Sequence, residues 1–279
     1  MTDSSRRSLS QNTTATARTV AFANQKGGVG KTTSAVNACV VLARQGYRVL
    51  LIDLDPQGNT TSSLGVDKPA LTYTAYDVLI DQVPIADAVV SVRPNLDLLA
   101  TTSVLAGAEV ELVTSANRER RLKLAMAAVR HDYDIACIDC PPSLGLLTVN
   151  ALTAADAVVI PIQCEFLALE GVSQLITTID LVKRQLNPSL DLLGVLMTMF
   201  DGRTRLSAHV VEEVRRHFPD RIFSSVVPRS VRLAEAPSYG QSIAEYDPGS
   251  RGAAAYVEFA EEMTRRLGIT PPSPADAVP

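Results

Sequence analysis

Continuous apolar runs alternate with stretches of helical period along most of this chain. The runs Thr19–Asn24, Arg48–Asp53, Leu96–Ala100, Asp134–Asp139, Ala157–Ile162, Leu192–Met199 and Ile222–Val227 predict strands. Most are apolar throughout rather than alternating, the pattern of strands covered on both faces. Helical patterns fall at Lys31–Gln45, Asn117–Arg130, Leu144–Ala154, Leu169–Leu186, Leu206–His217 and Gly252–Leu267. Strand–helix alternation with short connections predicts an α/β fold: a single-domain, doubly wound, mostly parallel β-sheet flanked by helices. No repeat or long linker divides the chain. Residues 1–17 are Ser/Thr/Asn-rich and predict a disordered tail. Residues 268–279, GITPPSPADAVP, predict a Pro-rich tail, which leaves 18–267 as the folded domain.

The first predicted strand runs into Asn24-Gln25-Lys26-Gly27-Gly28-Val29-Gly30-Lys31-Thr32-Thr33 and then a helix. Strand, glycine turn and helix N-terminus make an anion cradle, because glycines let backbone N–H groups converge and the helix dipole favours negative charge. This predicts a P-loop NTPase fold. Lys31 is placed to reach the β- and γ-phosphates, and the Thr32 hydroxyl to hold Mg²⁺. The second strand ends in Asp53-Leu54-Asp55, where open α/β sheets bind ligands. Period-two alternation puts Asp53 and Asp55 on one side, and adjacent like charges need a cation. The strand ending in Asp139 adds a third carboxylate, suited to holding Mg²⁺ through water.

Charge then changes the picture. In 279 residues, Lys+Arg number 26 and Asp+Glu 30, for a net charge of −4. A uniformly basic nucleic-acid coat is excluded. Yet 21 of the 26 cations are Arg, and Asp201–Arg232 holds Arg203, Arg205, Arg215, Arg216, Arg221, Arg229 and Arg232 against four acids, a net of +3 that leaves −7 elsewhere. Phosphate binding needs local cations, not a basic average. No aromatic stacking partner is expected for these arginines, so backbone contacts without base stacking are predicted. Arg215 and Arg216 follow Glu212 at helix-pairing distance, which leaves surface ion pairs open as an alternative. His131, His209 and His217 have no ligand set around them and predict surface positions. Cys39, Cys137, Cys140 and Cys164 lie in apolar runs and predict reduced, buried thiols of a cytoplasmic protein. Cys137 and Cys140 should point to opposite faces of their strand. No run is long enough to span a bilayer.

The loop departs from G-x-x-x-x-G-K-[ST]: Gln25 stands at the first glycine and Lys26 is added. This variant resembles the deviant Walker A motif of the ParA/MinD group of P-loop ATPases. Val49–Asn59 resembles the group's Walker A′ motif, and Asp139 with Pro141-Pro142-Ser143 resembles its Walker B and γ-phosphate switch. Leu105–Glu109, Ala168–Gly171, Asp201–Thr204 and Pro228–Ser238 resemble the Soj-like chromosomal ParA branch, although Ser230 stands where Asn is more usual. The resemblance implies ATP and Mg²⁺ as cofactors, with Lys26, Gly27, Gly28, Val29, Gly30, Lys31, Thr32, Thr33, Pro228 and Arg229 around the nucleotide. It implies that Lys26 reaches the partner subunit's nucleotide, that Asp55 positions the attacking water, and that Asp53 supports the metal from outside its first shell. It further implies an ATP-dependent homodimer, slow basal hydrolysis, nonspecific double-stranded DNA binding through Arg203 and Arg232, with Arg205, Arg215 and Arg216 as weaker candidates, a ParB-type stimulating partner and a place on the nucleoid. A MinD-like membrane-associated ATPase is the alternative. It needs a basic amphipathic helix at the C-terminus, which the Pro-rich end argues against. An iron–sulfur reductase component would need exposed cysteines, and a small-molecule kinase an acceptor pocket.

Overall fold

A computed structural model describes residues 17–165 and 171–272. Eight strands among them form one sheet: β1 Arg18–Phe22, β2 Val49–Asp53, β3 Val89–Arg93, β4 Leu96–Leu99, β5 Ile135–Asp139, β6 Ala157–Gln163, β7 Asp191–Phe200 and β8 Ile222–Pro228. Their order is β3-β4-β2-β5-β1-β6-β7-β8. Every pairing is parallel except β3 with β4. The helices are α1 Lys31–Arg44, α2 Asn59–Ser63, α3 Ala75–Leu79, α4 Ile85–Ala88, α5 Ala108–Glu111, α6 Arg121–Met126, α7 Leu146–Ala154, α8 Val172–Gln185, α9 Arg205–His217, α10 Val231–Glu235, α11 Ile243–Tyr246 and α12 Arg251–Leu267.

The apolar strands are covered on both sides, as their composition requires. Alternate residues of β1 feed two cores. Val20 and Phe22 join α1 and α12, while Ala21 joins the side built by α3, α7, α8 and α9. Phe259 of α12 packs edge-on against Phe223 (ring centroids 4.8 Å apart) and Phe22 (6.2 Å). Cys137 and Cys140 fall into opposite cores, and all four cysteines are buried and free. In-register pairing of β2 and β1 with β5 brings Asp53 and Phe22 level with Asp139. The chain ends of these strands, with the turns that follow, build the site.

The structure departs from the sequence expectation in several places. Strand β3 was not expected. It is a half-buried edge strand joined to β4 through Pro94 and Asn95, the latter with φ 62°. The expected helix Asn117–Arg130 contracts to α6, and the helix expected from Leu144 starts at Leu146. Between residues 54 and 114 the chain makes short helices, too brief to show a hydrophobic period. The tail boundaries shift as well. Ala17 is buried and its N–H donates to Arg130 O, and Ile269 packs against the core. Residues 1–16 and 273–279 lie outside the described residues, as do 166–170, which hold the start of the expected Leu169 helix and most of the Ala168–Gly171 motif.

Candidate functional site

The glycine turn leaves β1 through Asn24. Its side chain accepts from Lys26 N (3.0 Å) and donates to Pro161 O (2.7 Å), pinning the turn to β6. Gly30 precedes α1 at φ 89°, a left-handed conformation that a side chain disfavours. Thr198 of β7 lies against it and donates through Oγ1 to Val29 O (2.8 Å). Among the described residues, no N–H from Gly27 to Thr33 has a protein acceptor. These orphan donors converge at a helix N-terminus, which suits an anion.

Lys31 is buried, and its ammonium donates to Lys26 O (3.2 Å). Burial lowers its pKa, opposed by the carboxylates of Asp139 and Asp55. With one protein acceptor for three donors, the ammonium keeps capacity for phosphate oxygens. The half-exposed Lys26 ammonium has no acid partner among the described residues.

Asp139 is fully buried. Its Oδ2 accepts from Thr32 Oγ1 (2.7 Å) and Thr60 Oγ1 (2.8 Å), while Oδ1 has no hydrogen-bond partner among the described residues. Burial raises its pKa to about 6 against the bonds from Thr32 and Thr60. That orphaned oxygen beside a threonine hydroxyl fits Mg²⁺. No group of three or more His, Cys, Asp or Glu forms a metal cage among the described residues. The donor set therefore suits an ion that keeps its waters and takes phosphate oxygens.

Asp53 and Asp55 differ. Asp53 is fully buried, accepting from Thr61 N (2.9 Å), Thr61 Oγ1 (2.7 Å) and Asp55 N (3.2 Å). Burial and the neighbouring Asp139 raise its pKa to about 7. Its carboxyl group fastens the turn into α2. Asp55 lies just past β2, 7% exposed, with Oδ1 accepting from Gln57 N (3.0 Å) and Oδ2 without a hydrogen-bond partner among the described residues. Thr60, Thr61 and Thr198 had not been singled out from sequence. The threonine pair one turn past Asp55 was the available signal.

Beside Gly30 and Thr33 a cleft of about 240 Å³ is lined by Thr198, Met199, Pro228, Arg229, Leu233 and Tyr256 among others. It adjoins the glycine turn and brings the expected Pro228 and Arg229 to it. Met199 holds φ 52°, unusual for a non-glycine residue, where β7 meets this cleft.

The arginine segment reads differently in space. Arg203 pairs with Asp201 (2.7 Å), Arg232 with Glu235 (3.3 Å), Arg221 with Asp191 (2.9 Å) and Arg229 with Glu165 (2.7 Å). The Arg203 hydrogen bond holds the Asp201 carboxyl well below the usual range. Arg205, Arg215 and Arg216 are exposed on α9 without an ion-pair partner among the described residues, so the alternative pairing with Glu212 does not form. The expectation of no aromatic partner is corrected. Arg232 lies 5.8 Å from the ring centroid of Tyr246, and the exposed Tyr239 stacks on that ring at 5.2 Å. Tyr246 is 14 residues from Arg232, beyond a local reading. The three histidines are exposed.

A strand-to-helix glycine turn, a buried lysine and a threonine facing a strand-end aspartate define the site of a P-loop nucleoside triphosphatase on a doubly wound sheet. Residues 17–192 match the AAA domain family (AAA_31). The chain is 54% identical over 245 residues to the sporulation initiation inhibitor protein Soj of Bacillus subtilis, covering 88% of this chain and 97% of that protein. It is 49% identical over 252 residues to the chromosome partitioning protein ParA of Caulobacter vibrioides (89% and 94%). Among solved structures, one titled cobyrinic acid a,c-diamide synthase from Mycobacterium smegmatis, with bound ATP analog and magnesium, superposes with TM-score 0.81 at 42% identity (90% and 96%). A Cyanothece McdA(D38A)–ATP complex gives 0.81 at 26% (92% and 98%). The chain belongs to the ParA/Soj family of P-loop ATPases.

Proposed function

We propose that this chain is a DNA-partition ATPase whose ATP-bound form is a homodimer that holds nonspecific duplex DNA and is reset by hydrolysis. The carrying observation is the buried Lys31 ammonium, with donors to spare, among orphan backbone N–H groups and facing Asp139 and Asp55. ATP is the substrate. Its phosphates lie in the turn from Gly27 to Thr33, and its base and sugar lie toward Pro228 and Arg229. Thr32 Oγ1, and Asp139 through water, would hold Mg²⁺, which when bound neutralises phosphate charge. Asp53 supports this set by fastening the turn.

The chemistry left to the protein is positioning and charge stabilisation. Asp55 orients the attacking water with its free Oδ2. Lys31 stabilises charge on the transferring phosphoryl group from its own subunit. Lys26, half-exposed and unpaired, does so across the dimer, and a single subunit therefore lacks one cation and turns over slowly. A ParB-type protein supplies the stimulation. The DNA face comprises Arg205, Arg215 and Arg216 on α9, with Arg203 just before that helix, and Arg232 on α10 is a further contact. The working place is the cytoplasm, on the nucleoid.

Two other readings find less support. An amide-synthase activity like that named for the mycobacterial neighbour would ask for an activated thiol if the chain itself released ammonia, but burial raises the pKa of Cys39, Cys140 and Cys164. A membrane-surface role would ask α12 to show an apolar face, and that face is covered by the core through Tyr256, Phe259 and Met263. No described helix is long and apolar enough to cross a membrane. The test is retention on random-sequence duplex DNA with ATP, a non-hydrolysable analogue, ADP or no nucleotide, across a salt series. Retention with ATP and the analogue alone, falling steeply with salt, is expected. Equal retention in all four conditions would refute the reading.

A further inference from the structure

We infer that Glu109 is a positioning residue for the phosphate-sensing segment, held on α5 and acting through the start of α7. This rests on the ATPase reading above. The segment Cys140–Gly145 joins Asp139 to α7, and its Pro142 Cβ lies 4.0 Å from where a Cβ on Gly27 of the glycine turn would stand. Whatever fixes the start of α7 therefore fixes one end of a segment whose other end is Asp139.

That start has no local cap. Gly145 carries no side chain, and no acid lies in the first turn of α7. Glu109, 37 residues away, supplies the acceptors: Oε2 takes Leu146 N (2.9 Å) and Oε1 takes Leu147 N (3.3 Å). A carboxylate at this end of a helix is favoured by both charge and hydrogen bonding. Its support is firm, because Leu105, Ala108 and Leu112 around it are buried in the core. The fit is also close. A Cβ on Gly145 would stand 2.5–2.8 Å from the carboxylate group of Glu109, so the glycine leaves room for this contact. A second latch lies one turn on, where Asn150 accepts from Leu122 N (3.2 Å) and donates to Arg118 O (2.6 Å). Asn150 holds the body of α7, and Glu109 holds its entry. Thr148 Oγ1 then bonds Ser143 O (2.7 Å), carrying the hold back into the segment itself.

The test uses the full chain and the variants E109A, E109Q and G145A, with ATP affinity, kcat and amide hydrogen exchange measured on each. E109A should lower kcat about tenfold, as misplacement near the chemistry does, with ATP affinity within about twofold of the parent. E109Q keeps one acceptor and should fall between. Exchange should quicken at Leu146 and Leu147 in E109A and stay unchanged at the glycine turn. G145A, which displaces the same carboxylate, should reproduce the loss, and the double variant should be no worse than either single one. Unchanged kcat in an E109A variant with unprotected Leu146 would overturn the inference. So would a parallel loss of kcat, ATP affinity and melting temperature, which would mark a merely structural residue, or additive losses in the double variant. A parent chain without ATPase activity would instead overturn the ATPase reading, while the exchange pattern still reports the cap.

Discussion

Lys31 is a cation kept in a buried place at a cost, since burial lowers its pKa and only nearby acids oppose the shift. Such a residue is there for a ligand rather than for packing. A hydrogen bond to a charged group contributes about 1.5–3 kcal/mol, so K31A should weaken ATP binding roughly 10- to 100-fold. Calorimetric titration measures this, and unchanged affinity would remove Lys31 from the phosphate site. Of the two carboxylates after β2's apolar run, Asp55 has an oxygen to offer, whereas every contact of Asp53 serves its own turn. D55A should slow ADP formation by about 10² or more while ATP stays bound and the ATP-made dimer accumulates on gel filtration. Normal turnover would discard the water-positioning role.

At the level of elements, α1 and α12 cover one side of the sheet, and Phe259 joins them to β1 and β8 through its edge-on contacts with Phe22 and Phe223. This packing stands behind the cleft wall at Tyr256, one turn earlier on α12. F259A should cost about 3–5 kcal/mol of stability, read as a lower denaturant midpoint at unchanged slope. A loss under about 1 kcal/mol would show that this aromatic cluster is not central. The short helices between β2 and α6 play a different part. They carry Thr60, Thr61 and Glu109 to the strand ends, so that site-facing groups come from turns while the strands supply rigidity.

For the whole molecule, a net charge of −4 and DNA binding are reconciled by location and by pairing. Four of the seven arginines between Asp201 and Arg232 are matched by acids, three of them from outside the segment. The unpaired ones cluster on α9. The combined R215A/R216A variant should therefore lose more DNA retention than R203A, with a salt slope lower by about 1 for each lost phosphate contact. ATP-dependent dimerisation should be intact in both. A binding assay over a salt series decides, and a larger loss in R203A would return the main contact to the Asp201 loop.

The sequence by itself determined the strand–turn–helix at Lys26–Thr33, the other strand-end aspartates, seven of the eight strands and the opposite faces of Cys137 and Cys140. These features are local: period, glycine placement and strand ends are written within a few residues of one another. Only the tertiary structure decided which groups meet. Strand β3 is half-buried at an edge, so its sequence lacks the apolar run that marks a covered strand. Thr60 reaches Asp139 across 79 positions, Thr198 reaches Val29 across 169, Tyr246 comes under Arg232, and Glu109 caps α7. The acids that neutralise Arg221 and Arg229 likewise come from other elements. Hydrogen bonds and ion pairs act over a few ångströms of space, and that nearness exists only once the sheet order has brought distant turns to one edge.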